Sequence, residues 1–169
     1  REEAGVMLFP YAILVNQNGE RFTDEGVTTI DEQYEEVARK IFYTCENHIA
    51  YMITDQKMYS IPNYEEALQT DIPAIVADSI EQLAEKLNVN SENLVKTVEE
   101  FNSACPEGEF IYNRLDGLAT NGLDLNKSNW SIPINEGPYI AYPVHCCNVF
   151  TNGGLATDTD GRVLSGDDI

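Results

Sequence analysis

Apolar positions follow two rhythms along this chain, and the switches between them mark its elements. Tyr11-Ala12-Ile13-Leu14-Val15 is a strand-like run, Asn18-Gly19 supplies the positive φ values of a tight hairpin, and Arg21-Phe22 opens the return strand. From Asp31 to Asn47 the rhythm is helical: Tyr34, Val37, Ala38, Ile41 and Cys45 share a stripe, with Asp31 and Glu32 at the positive N-terminal end. Ile49 to Thr54 reads as a buried strand ending at Asp55, Pro62 and Pro73 break any long element, and Val76 closes a short strand. Two helices follow. Ser79, with Gln82 three residues on, has capping-box spacing ahead of the stripe Ile80, Leu83, Leu87. After Asn88-Val89-Asn90 a second helix starts near Ser91, buries Leu94, Val98, Phe101 and Cys105, and ends at Pro106 and Gly108. So short a link predicts an antiparallel αα-hairpin. Residues 108–137 show little periodicity and much Gly, Asn, Asp and Pro, which in a compact domain points to a functional loop. Tyr139 to Tyr142 and Leu155 to Leu164 return to strand character, with Asp160-Gly161 as a second tight hairpin. The expected fold class is α+β, with an αα-hairpin and short mixed or antiparallel strands, and the segments 11–22 and 155–164 are candidates to pair.

Composition narrows what such a fold can do. The 169 residues are 43% hydrophobic, enough for one domain with a real core. Ten Lys and Arg stand against 29 Asp and Glu, a net charge of -19. That surface repels phosphates, so neither nucleic acid nor an anionic membrane is an expected partner. The longest apolar stretch, Val6 to Val15, has about half the ~20 residues of a membrane helix, and Pro10 interrupts it. No basic-then-apolar leader opens the chain, and Cys45, Cys105, Cys146 and Cys147 lack C-x-x-C spacing. Reduced thiols in the cytoplasm are expected, not a disulfide scaffold. The chain starts at Arg1 and stops at Asp167-Asp168-Ile169, which reads as a segment of something longer.

Few residues announce chemistry. No G-x-G-x-x-G, Walker loop, G-x-S-x-G or H-E-x-x-H occurs. In His145-Cys146-Cys147 strand alternation points neighbours to opposite faces, so packing is the first reading and no metal site is expected. Asp158-Thr159-Asp160-Gly161 places its Gly too early for a calcium loop and reads as a hairpin turn. Thr151-Asn152-Gly153-Gly154 is a turn or bulge on spacing alone; alternatively, its glycines let backbone approach a flat ligand. Asp24-Glu25 reads as an exposed acidic turn or as an acid/base pair. Tyr59, just past a buried strand, either packs or donates a proton. Arg114 and Lys127, scarce cations in the irregular stretch, are either solvated charge or clamps for an anion.

Several of these pieces share a collinear resemblance. Ile13-Leu14-Val15-Asn16-x-x-Gly19-x-Arg21-Phe22-x-Asp24-Glu25 resembles the strand-hairpin signature of the fumarate reductase/succinate dehydrogenase flavoprotein family. The helix Ser79 to Ala84 and the run Leu94 to Asn102 are similar to that family's capping-domain helix pair. Thr151-x-Gly153-Gly154-Leu155 with Asp158-x-Asp160-Gly161-Arg162-Val163 resembles the point where its chain re-enters the FAD domain. Gly122-Leu123, Lys127 to Trp130 and Tyr139-x-x-Tyr142-Pro143 look most like the tricarballylate dehydrogenase branch. Three positions depart: Phe150 stands where fumarate reductases have His, Ile30 follows Thr29 where they have Arg, and Tyr59 aligns with their proton-donating Arg.

The resemblance implies that residues 1–30 are a strand hairpin of the FAD domain, 31–138 a capping domain that closes over substrate, and 139–169 strands returning to the FAD domain. It implies FAD as cofactor in the full-length protein, not held by this segment alone, because the pyrophosphate-binding loop is not in this sequence. The implied reaction is hydride transfer between flavin and a small (poly)carboxylate, desaturating or reducing a C–C bond, with the isolated segment inactive. Tyr59 and Glu25 are then the catalytic candidates, Arg114, Lys127 and Thr151 the substrate-binding ones, and Gly153 and Gly154 the flavin contacts. The expected partners are the carboxylate and the rest of the FAD domain. The competing reading is a non-catalytic acidic α+β ligand-binding or interaction module.

Overall fold

A computed structural model describes residues 7–147 and 153–165. Its centre is a four-stranded antiparallel sheet in the order β1-β2-β4-β3, formed by Ile13–Val15 (β1), Ile49–Asp55 (β2), Ile75–Ala77 (β3) and Tyr139–His145 (β4). Each strand presents alternate residues to opposite faces, and both faces are buried. One face, with Leu14, Ala50, Met52, Ile140, Tyr142 and Val144, packs against Val37 and Ile41 of helix Ile30–Thr44 (α1), the Phe9–Tyr11 turn and Leu68 of the short helix Tyr64–Leu68 (α2). The other face, with Ile13, Val15, Ile53 and Ala141, packs against Ile80–Leu87 (α3) and Ser91–Ala104 (α4). Helices on both faces of an antiparallel sheet make the chain α+β. No helix among the described residues is long and apolar enough to cross a membrane.

The helices follow the sequence closely because their signals are local. Ser79 Oγ accepts the Gln82 N–H at 3.2 Å and starts α3, while Asn90 Oδ1 does the same for Asn93 at 3.0 Å and starts α4. Leu83, Leu94, Val98 and Phe101 are buried as their spacing requires. Helix α1 stops at Thr44, short of the expected Asn47: Glu46–His48 forms a 3-10 turn with Asn47 and His48 at φ 54° and 58°, which reverses the chain into β2.

Two strand expectations give way. Beyond the Asn18-Gly19 turn the return strand shrinks to a single bridge, Val15 to Arg21, and β1 pairs with β2, not with 155–164. In the 155–164 stretch only Thr157 and Val163 bridge, around the expected Asp160-Gly161 turn, and Leu155 and Val163 stay exposed. A two-stranded ribbon with no covered face is too marginal to extend. The sheet takes β1 from residues 1–30, β2 and β3 from 31–138 and β4 from 139–169, and all its pairings are antiparallel.

Candidate functional site

The 108–131 stretch has no helix or strand, yet it is tightly tied, and it delivers a buried cation to β1. Lys127 is only 1% exposed and its Nζ donates to the Ala12 carbonyl at 2.7 Å. Glu25, fully buried, accepts the Leu14 N–H at 2.8 Å and both Arg21 Nε, at 3.1 Å, and Nη2, at 2.6 Å. Ala12, just before β1, and Leu14 within it face the outer edge, where among the described residues only the single Val15–Arg21 bridge pairs. One ammonium and one carboxylate therefore satisfy polar groups that an adjoining strand would otherwise take. The ring of Phe101, on α4, lies 5.4 Å from the Arg21 guanidinium carbon and 5.8 Å from Lys127 Nζ, a desolvated cation–π contact for each. Burial pulls the Lys127 pKa down to about 8 against the pull of Glu25, while burial pushes the Cys105 thiol up to about 11.

These facts revise two readings. Glu25 does not sit in an exposed acidic turn, and Lys127 is not solvated surface charge: both are interior, and the structure brings them together around Arg21. Sequence reasoning missed Arg21, although its place four residues before Glu25 gave the signal. Asp24, half-buried, accepts from Ser128 N at 3.0 Å and Ser128 Oγ at 2.5 Å and so ties the same two segments.

Arg114 is placed differently. Trp130 Nε1 donates to the carbonyls of Ile111 at 2.9 Å and Arg114 at 3.0 Å, and the Tyr11 hydroxyl donates to the Tyr112 carbonyl. Asp116 Oδ1 accepts from Leu118 N at 3.0 Å and Trp130 N at 2.9 Å. The backbone of 111–116 is thus pinned from beneath, while the Arg114 side chain is exposed and makes no ion pair among the described residues.

Tyr59 rides on a 3-10 turn, Gln56–Ser60, held by Asp55. That carboxylate, itself buried, accepts from Lys57 N at 3.0 Å, Lys57 Nζ at 2.5 Å, and Asn135 N and Glu136 N at 2.9 Å each. The Tyr59 ring is 43% exposed and meets Tyr64 edge-on at 5.1 Å, so its hydroxyl is not committed to the core. Gly153 and Gly154 take φ values of 127° and 148°, and a Cβ on either would find nothing within 4 Å. That bare, positive-φ backbone fits the approach of a flat ring such as a flavin. Thr151 lies outside the described residues. An open cleft of about 260 Å³ lined by Glu20, Arg21, Lys96, Glu100 and Asp124 is smaller than the roughly 300–1,000 Å³ of ordinary ligand pockets, and its carboxylates outnumber its cations. No cluster among the described residues could hold a metal ion.

The 4-oxocyclohexanecarboxylate 2-dehydrogenase of Sinomonas cyclohexanicum is 32% identical over 94% of this chain and 29% of its own length. Among solved structures, the open conformation of a flavocytochrome c3 fumarate reductase superposes with a TM-score of 0.63 at 22% identity, over 93% of this chain and 25% of that one. A solution structure of a fumarate reductase flavoprotein subunit from Lactobacillus plantarum matches over 85% of this chain and 86% of that one, at a TM-score of 0.51 and 16% identity. The chain spans less than a third of the length of the curated relatives it matches. The family model described as the FAD binding domain matches residues 5–169, and the chain therefore belongs to that FAD-dependent flavoprotein family.

Proposed function

We propose that this chain is the substrate-closing part of an oxidoreductase that desaturates or reduces a C–C bond in a small carboxylate. The family match over residues 5–169 supports the flavin-dependent part of the reading, and the similarity of the 79–102 helix pair to the family's capping helices supports the substrate-closing part. The substrate class rests on the names of the relatives: one is called a dehydrogenase of an oxo-substituted ring carboxylate, and one neighbour a fumarate reductase. FAD supplies the hydride exchange when bound. The chain's own residues bind, orient and exclude water. In this reading residues 31–138 close over the substrate, and 1–30 and 139–169 join the rest of the FAD domain. Arg114 and Thr151 bind substrate, Tyr59 moves a proton at its hydroxyl, and Gly153 and Gly154 contact the flavin. Glu25 and Lys127 act from the interior, through Arg21 and β1, by fixing the frame from which the exposed groups reach out. The tricarballylate branch makes a polycarboxylate the first substrate to try.

The test uses the full-length protein. A charge-assisted contact to a carboxylate is worth roughly 1.5–3 kcal/mol, so Arg114→Ala should raise KM for di- and tricarboxylates ~10- to 100-fold. Unchanged kinetics on every carboxylate, or a preference for an uncharged substrate, would reject the carboxylate assignment.

A further inference from the structure

Away from these residues, two cysteines lie toward one end of the sheet: Cys45 directly after α1 and Cys146 directly after β4. Strands β2 and β4 pair with Ile49 opposite His145, so the turn Glu46–His48 that leads into β2 and Cys146, the residue after β4, lie at the same end of the sheet. The His48 N–H donates to the Cys45 carbonyl at 3.1 Å, which folds Cys45 back over the same point. Alternation fixes the face: Ile140, Tyr142 and Val144 pack in the cluster that contains Cys45, and Cys146, one residue past β4, is next in that series. Both cysteines are reduced. Burial raises the Cys45 pKa, the Thr44 hydroxyl pulls it down, and the charge of Cys146 pushes it up again.

We propose that Cys45 and Cys146 are a redox-responsive pair that closes to an intramolecular disulfide, tying the end of α1 to the end of β4. With glutathione disulfide as oxidant, the more accessible Cys146 thiolate attacks one sulfur, forms a mixed disulfide and releases one glutathione thiolate. The Cys45 thiolate then attacks the Cys146 sulfur and expels the second. Two protein thiols are oxidised, one glutathione disulfide is reduced to two thiols, and the protein sheds two protons. The tie fixes the start of the chain that leads to Gly153 and Gly154, seven and eight residues beyond Cys146. Because burial disfavours the Cys45 thiolate, closure accelerates as pH rises.

The protein, incubated with glutathione disulfide and quenched with iodoacetamide, is mapped by peptide mass under non-reducing conditions. The expected map shows a Cys45–Cys146 cross-link, lighter by two hydrogens than the separate thiol peptides, and an alkylated Cys105. Cys147→Ser keeps the cross-link, and Cys45→Ser accumulates the Cys146 mixed disulfide by roughly tenfold or more. A wild-type map with both thiols alkylated, a Cys146–Cys147 link, or glutathione persisting equally on Cys146 in wild type and Cys45→Ser overturns the proposal. The wild-type map decides the matter even if the Cys45 variant does not fold.

Discussion

Lys127 is the most consequential residue in the chain, because an ammonium kept from water must be compensated where it sits. Its folded pKa, lowered to about 8, lies below the unfolded value, so between these values the unfolded chain holds a proton that the folded chain has lost. Stability from this group therefore rises with pH above about 8. The raised Cys45 and Cys105 values work in the opposite sense and begin to act between pH 8 and 9, so the Lys127 contribution is read as the difference between wild type and a Lys127 variant. Urea midpoints across that window should rise in the wild type by the equivalent of up to about 1 kcal/mol relative to Lys127→Met. Parallel slopes would show that Lys127 titrates as an ordinary surface lysine. Glu25→Gln strands the buried Arg21 guanidinium and should cost about 3–5 kcal/mol in the same assay. A cost below about 1 kcal/mol would mean that the pair is solvated. The sequence marked Glu25 and Lys127 as notable; Glu25 had a local partner four residues back in Arg21, but burial of Lys127 depends on a partner more than a hundred residues away, the Ala12 carbonyl.

Among the elements, β1 shows what local pattern can and cannot foretell. Its apolar run and its Gly turn were legible, as were both helices of the αα-hairpin with their caps, because each signal lies within a few residues. Its partner was not: pairing with β2 is decided by which apolar faces can be covered together. The turn after β1 docks on α4, with Thr97 Oγ1 donating to the Gly19 carbonyl at 2.7 Å and Asn90 N donating to Gln17 O at 3.2 Å. Gly19 holds φ 75°, and a Cβ there would stand 2.7 Å from Leu94 N and 2.8 Å from Asn90 O. Gly19→Ala should thus destabilise by more than ~1 kcal/mol, since strain and overlap with rigid backbone add. A thermal melt within error of wild type would mean that the turn does not seat on the helix. The loop 108–137 was correctly read as irregular; its rigidity was not legible, because it comes from Trp130 and Asp116 reaching carbonyls and amides that no periodicity marks.

For the whole molecule, a net charge of -19 sets the terms on which an anionic substrate is admitted. A carboxylate approaching such a surface needs a local cation, and the proposed reading assigns that part to the exposed Arg114. The same scale governs the cofactor. The 169 residues hold no G-x-G-x-x-G loop to anchor a pyrophosphate, so the purified chain should be colourless and should quench little FAD fluorescence; a yellow preparation with stoichiometric flavin would contradict this. The central claim is tested most directly by following flavin absorbance in the full-length protein as small di- and tricarboxylates are added to its oxidised and reduced forms. The account predicts saturable flavin reduction or reoxidation by a carboxylate, with half-saturation shifted ~10- to 100-fold upward in Arg114→Ala. Flavin that responds to uncharged substrates alone, or to no carboxylate in either redox state, would contradict it.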